Sequence, residues 1–160
     1  MAIVKLTKEQ YPNKGDVIKL AYYIANPMKC VNDISGGKNI ITAGSFFCDP
    51  ESVAAQFLAI QHGQRFERRL YHVIINFDSS DQIIVTWAYQ IGMAVCNMYP
   101  DYQSAFAVHE DKDIPHIHIM LNNCPIPLNK PKLTAVINPF NIQLMVDSMI
   151  DHKLGLPIQR

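Results

Sequence analysis

The sequence carries no excess of charge: 14 lysines and arginines balance 14 aspartates and glutamates over 160 residues. Proteins that hold nucleic acid by bulk attraction are usually basic. Contact with a polyanion therefore has to come from a local patch here, and should be modest at physiological salt without other domains or partners. Paired cysteines are missing as well. Cys30, Cys48, Cys96 and Cys124 are irregularly spaced with no CxxC pair, which excludes a zinc ribbon or disulfide framework and reads as reduced thiols in a cytoplasmic protein. The opening MAIVKLTKEQYPNKGD turns polar after six residues, unlike a signal peptide. The longest apolar stretch, Ile83–Cys96, is interrupted by Thr86 and Gln90 and is too short to span a membrane. Repeats, low-complexity tracts and linkers are lacking. What remains, 49% hydrophobic and 18% charged residues, is the composition of one globular domain, taken as residues 1–160.

Along the chain, Ala2–Leu6 reads as a first strand. Gly15-Asp16 opens a helix with Asp16 as the expected N-cap; Val17, Leu20, Ala21 and Ile24 give it one buried face, and Asn26-Pro27 stops it. Asn39–Phe47 is expected to be a second strand. Asp49-Pro50-Glu51 combines a cap, a proline at the first helical position and an acid in the first turn, so a helix should run to about His62-Gly63. Leu70–Phe77 alternates and is rich in β-branched and aromatic types, hence a strand. Ile83–Met98 reads as a mostly buried helix ended by Pro100. Gln103–His109 and His116–Asn122 form two strands joined by Glu110–Pro115, Asn123–Val136 is a loop, and Asn138-Pro139 begins a last helix ending near Leu154-Gly155. The order β-α-β-α-β-α-β-β-α predicts an α/β sandwich: a mainly antiparallel five-stranded sheet with helices packed on it.

The most informative segment is AVHEDKDIPHIHIMLNN, residues 107–123. His116 and His118 are two apart on a strand and so share a face, while Ile117, Ile119 and Leu121 point to the other, where a helix can cover them. If the hairpin closes symmetrically around residues 110–115, His109 lies opposite His116 and all three imidazoles converge. Neutral imidazole is a common ligand for divalent transition metals, and three protein ligands with open positions mark a catalytic site. Ala107 and Ala105 opposite would leave room for a metal and substrate. The alternative is three ordinary histidines in a polar hairpin; three of six histidines within ten residues on one face weighs against it. Asp111, in the turn, would orient a ligand imidazole or accept a proton, or else is a solvated turn residue. His72 and Asn76 share one face of their strand and border the same site, unless His72 is an ordinary half-buried strand histidine.

LAYYIANP adds a second chemistry. At 100° per residue Tyr23 falls near 240° from Val17, beside Lys19 and Asp16 and away from the apolar stripe, whereas Tyr22 lies nearer its edge. An ordinary phenol ionises near pH 10 and is a poor nucleophile at neutral pH. It becomes useful where a metal polarises a phosphate and a base or cation favours the phenolate.

Together these residues resemble the relaxase/mobilisation nuclease family, the HUH endonucleases that nick a plasmid or integrative element at its transfer origin. His116-Ile117-His118 matches the paired-histidine motif, His109-Glu110-Asp111 the upstream histidine-x-aspartate, and Asn122 the asparagine that often follows. Leu20–Pro27 matches the N-terminal tyrosine motif, with Tyr23 in the nucleophile's place. Phe47-Cys48-Asp49-Pro50-Glu51 and Tyr71–Phe77 match two weaker segments, with Phe47 where asparagine is common and Asn76 where serine is usual.

The resemblance implies an HUH endonuclease-like fold and a site- and strand-specific endonuclease that nicks single-stranded origin-of-transfer DNA. It implies Tyr23 as the nucleophile, joined to the 5′ phosphate, and a divalent ion (Mn²⁺, Mg²⁺ or Zn²⁺) on His109, His116 and His118. Three imidazoles favour Mn²⁺, Zn²⁺ or Ni²⁺ over Mg²⁺. Arg65, Arg68, Arg69 and Lys29 are candidate DNA contacts, with a solvated surface as the alternative. Accessory relaxosome proteins are the further partners it implies. Family members usually carry further regions, so this chain reads as an excised domain or a short relative. Histidine-triad hydrolases are disfavoured by Met120, where a third strand histidine is needed. An HUH replication initiator is disfavoured because Tyr23 precedes the histidines. A catalytically silent DNA-binding module remains the rival from another class.

Overall fold

The computed structural model describes residues 2–26, 36–38 and 49–155. Its elements are β1 (Ile3–Leu6), α1 (Lys14–Ile24), β2 (Gly36–Lys38), α2 (Pro50–Gln61), β3 (Leu70–Asn76), α3 (Val85–Asn97), β4 (Tyr102–His109), β5 (His116–Pro125) and α4 (Pro139–Gly155). Four strands make the body of an antiparallel sheet in the order β1-β3-β5-β4, and the three-residue β2 pairs on the outer edge of β4. The strand expected over Asn39–Phe47 lies outside the described residues.

β4 and β5 are buried along their whole length because helices cover both faces of the sheet. On one side Phe106, Val108, Ile117, Ile119 and Leu121 pack with Ala88, Ile91 and Val95 of α3 and Ile142, Val146 and Ile150 of α4. On the other, Leu70, Ala105 and Met120 meet Val17, Leu20, Ala21 and Ile24 of α1 and Val53, Ala54 and Phe57 of α2. The apolar stripe predicted for α1 is therefore the one it buries.

Three local expectations change. The N-cap of α1 is Asn13; Asp16 stands at the third helical position, its carboxylate accepting from the Asn13 N–H at 2.9 Å, so the acid that marks the start is the reciprocal half of a capping box. Ala105 is sealed beneath α1 and α2, so its small side chain admits helices and not a substrate. Strand β5 runs to Pro125, three residues past the expected end, because its polar residues are satisfied in the interior. Asn122 donates to Phe57 O (3.2 Å) and Gln103 Oε1 (2.9 Å), and its oxygen accepts from Gln61 Nε2 (2.8 Å) and Cys124 N (3.0 Å), which fills all four sites of the amide and ties α2 to the sheet.

Helix α3 approaches β4 at Gly92, where an added Cβ would lie 2.5 Å from the fully buried Phe106 ring. Alanine gains about 1 kcal/mol of helix propensity, but overpacking a closed core costs about 1–3 kcal/mol. With no slack around Phe106 the steric term should win. Gly92→Ala is expected to lower Tm by about 2–4 °C in a thermal melt, and an unchanged or raised Tm would show that the ring can move aside.

Candidate active site

The hairpin register places His109 opposite His116 and Ala107 opposite His118. All three imidazoles are buried on the face that carries α1. One nitrogen from each lies within 4.8 Å of the others. The rings of His109 and His118 stack with centroids 4.2 Å apart, and His116 stands edge-on to both at 5.1 and 5.2 Å.

The hydrogen bonds assign roles to the ring nitrogens. Nε2 of His109 lies 2.8 Å from the Ile24 carbonyl, which can only accept, so Nε2 carries the hydrogen and Nδ1 the lone pair. Nε2 of His116 faces Asp111 Oδ1 at 3.6 Å, while its buried Nδ1 has no hydrogen-bond partner among the described residues. Leaving such an atom unsatisfied costs about 1–3 kcal/mol. Burial, and then the neighbouring His109, hold the His116 pKa below its ordinary value, which keeps the ring neutral as a ligand must be. The donor set thus fits a divalent cation.

Tyr23 leaves α1 toward this cluster. Its ring lies 5.6 Å from that of His118 and 6.3 Å from those of His109 and His72, yet it remains 46% exposed. Tyr22 is similarly exposed and not, as expected, at the edge of the buried side; among the described ring contacts, those to the histidines are made by Tyr23 and Tyr11. A groove lined by Lys5, Lys8, Lys19, Glu9, Asp16 and Tyr11 reaches Tyr23 and His72.

The chain matches the family described as Relaxase: MobA/VirD2-like, nuclease domain, over residues 23–128. It belongs to this family. No curated protein matches it. Membership places it among DNA-nicking nucleases of mobilisation, a metal-dependent class, and the three-histidine group is one that could hold the ion. No helix of the described residues is long and apolar enough to cross a membrane. The match begins at Tyr23, so β1, the loop with Tyr11 and most of α1 precede it.

The relaxase's other expected site residues are dispersed. His72 enters the cluster, with Nε2 2.8 Å from Nδ1 of His118. Asn76 pairs with His116 across the strands and lines a recess with Lys112 and Asp113. Arg68 donates to the carbonyls of Glu9 and Leu70 and covers the Tyr71 ring; Arg69 donates to Pro12 O and Gln61 Oε1. Both arginines brace the β1–α1 loop. Arg65 lies with them, Phe66 and Lys132 around a separate recess. Lys29 and Pro27 lie outside the described residues. Sequence reasoning missed Tyr11 and the lysine groove. The Tyr-Pro-Asn turn at 11–13 was the only signal, and it says nothing of a partner 61 positions away.

Burial pushes the His72 pKa down to about 4, against the opposing pull of Glu9. An unfolded imidazole titrates near 6.5, so the unfolded chain takes up this proton first. The stability tied to neutral His72 is fully present above about pH 6.5 and is lost as pH falls through that value toward about 4. Urea denaturation in chelator should show a loss on the order of 2–3 kcal/mol between about pH 7 and about pH 4.5. His72→Gln should flatten that slope in part, since His116 titrates in the same direction; an identical slope in the variant would contradict the assignment.

Proposed function

We propose that this relaxase domain nicks single-stranded DNA at an origin of transfer through a tyrosine-linked intermediate. The observation that carries the reading is the position of Tyr23, in ring contact with three of the clustered histidines and still open to solvent. A nucleophile for DNA must be both beside the groups that manage phosphate charge and reachable by a strand.

His109, His116 and His118 would hold the divalent ion, which when bound supplies Lewis-acid polarisation of the scissile phosphate. The Ile24 carbonyl fixes the His109 tautomer, and Asp111 faces His116 from the turn to orient it. Tyr23 Oη attacks phosphorus, a tyrosine–phosphate ester forms with the 5′ end, and the bond to the 3′ oxygen breaks. The phenol's proton is lost to solvent and the 3′ oxygen leaves as a hydroxyl. The ester conserves the phosphodiester, so the nick can be resealed. Lys5, Lys8 and Lys19 line the approach to Tyr23 together with Glu9 and Asp16, which leaves the groove a small positive excess in a chain of zero net charge, so strand binding there should be weak and salt-sensitive.

Incubation with an origin oligonucleotide and Mn²⁺ should give a denaturant-resistant protein–DNA adduct. Tyr23→Phe removes one oxygen and should abolish it, Tyr22→Phe should retain most of it, and His116→Ala or excess chelator should eliminate it. An adduct that survives Tyr23→Phe but not Tyr22→Phe moves the nucleophile by one residue. No adduct from any variant or origin sequence favours a silent DNA-binding module.

A further inference from the structure

We infer that His72 and Tyr11 form a hydrogen-bonded relay that sets the tautomer and orientation of His118, making both positioning residues for the metal site; the inference rests on the metal-site reading above. His72 Nε2 lies 2.8 Å from His118 Nδ1, His72 Nδ1 lies 3.1 Å from Tyr11 Oη, and Tyr11 Oη lies 3.4 Å from Thr7 Oγ1. Both imidazoles are buried, at 5% and 4% exposure.

Two imidazoles meeting nitrogen to nitrogen share one hydrogen, so the chain has a direction. Run inward, with the hydrogen on His72 Nε2, it places the His118 hydrogen on Nε2 and leaves no lone pair there. Run outward, His118 Nδ1–H donates to His72 Nε2, His72 Nδ1–H donates to the Tyr11 oxygen, and the Tyr11 hydroxyl donates to Thr7 Oγ1. Every donor then has an acceptor, and His118 Nε2 keeps its lone pair for a cation. Ligand histidines usually give their second N–H to a carboxylate, carbonyl or water. Here an imidazole takes that place and orients the ligand without adding negative charge beneath the site.

The far end of the relay is built with effort. Tyr11 has φ 51°, a left-handed conformation that costs a non-glycine residue about 1–2 kcal/mol. Such conformations persist where the surroundings over-determine them and cluster at working sites. The loop is held by Arg68 Nη1 on Glu9 O (3.0 Å), Arg69 Nε on Pro12 O (2.9 Å) and the Arg69 N–H on Tyr11 O (3.3 Å). The two arginines therefore serve the site through Tyr11.

The test is Mn²⁺ binding by titration calorimetry to the full chain, with no DNA. His72→Leu is expected to weaken Mn²⁺ binding about 10–100-fold, and Tyr11→Phe by a smaller factor. His72→Gln, whose oxygen can accept from His118 and whose N–H can donate to Tyr11, should restore most of the affinity. Histidine ¹⁵N spectra of the Zn²⁺-loaded protein should show His118 as the Nδ1–H tautomer. Wild-type affinity in His72→Leu, affinity in His72→Gln as weak as in His72→Leu, or a His118 Nε2–H signal each overturns the relay. Should His72→Leu not fold, Tyr11→Phe and the spectra decide. Equal Mn²⁺ binding by wild type and His118→Ala overturns the metal site itself, and the relay with it.

Discussion

The antiparallel pairing of β4 with β5 is the constraint on which the rest depends. Side chains alternate across a strand, so the register that buries Ile117, Ile119 and Leu121 beneath α3 and α4 also sends His116 and His118 to the opposite face, beside His109. A slip of one residue would exchange the two sets. Burying one such aliphatic side chain stabilises by about 1.5–3 kcal/mol, so three together outweigh any preference of the imidazoles for one another. The histidine cluster inherits its geometry from an apolar core on the other side of the sheet.

Helix α1 couples the two halves of the chemistry. Its buried stripe docks on Ala105 and Met120, its last-turn carbonyl at Ile24 accepts from His109, and the residue before it is Tyr23. A carbonyl in the last turn of a helix lacks a partner within the helix. Satisfying it with a site histidine fixes the imidazole tautomer and the helix end in one contact. Tyr23 and His109 are thus positioned by the same piece of backbone.

Much of this was legible because it is local. The two-residue spacing of His116 and His118, the symmetric turn back to His109 and the Asp49-Pro50 start of α2 all follow from the pattern of a single element, whereas the helical angle does not separate Tyr22 from Tyr23, which are similarly exposed. What escaped is what depends on one element meeting another. Strand alternation puts His72 at the border of the site, but its direct bond to His118 depends on the pairing of β3 with β5, which is not a hairpin and leaves no local signature. Tyr11 adopts a backbone conformation that its residue type disfavours. Alternation gives the face of Ala105 but not the helices that cover it, so the space expected there is filled by α1 and α2. Arg68 and Arg69 read as a basic patch, yet both guanidinium groups hold loop carbonyls. The function of their charge is hidden until the loop they clasp is seen.

The three buried histidines beside Tyr23 have the geometry of one cation site. Anomalous diffraction at the zinc edge, on crystals grown with one equivalent of Zn²⁺, tests it most directly. A single strong peak is expected about 2.0–2.1 Å from one ring nitrogen of each of His109, His116 and His118, on the side facing Tyr23. A peak bound by other residues, or an empty cluster whose nitrogens remain hydrogen-bonded among themselves in the presence of the ion, would contradict it.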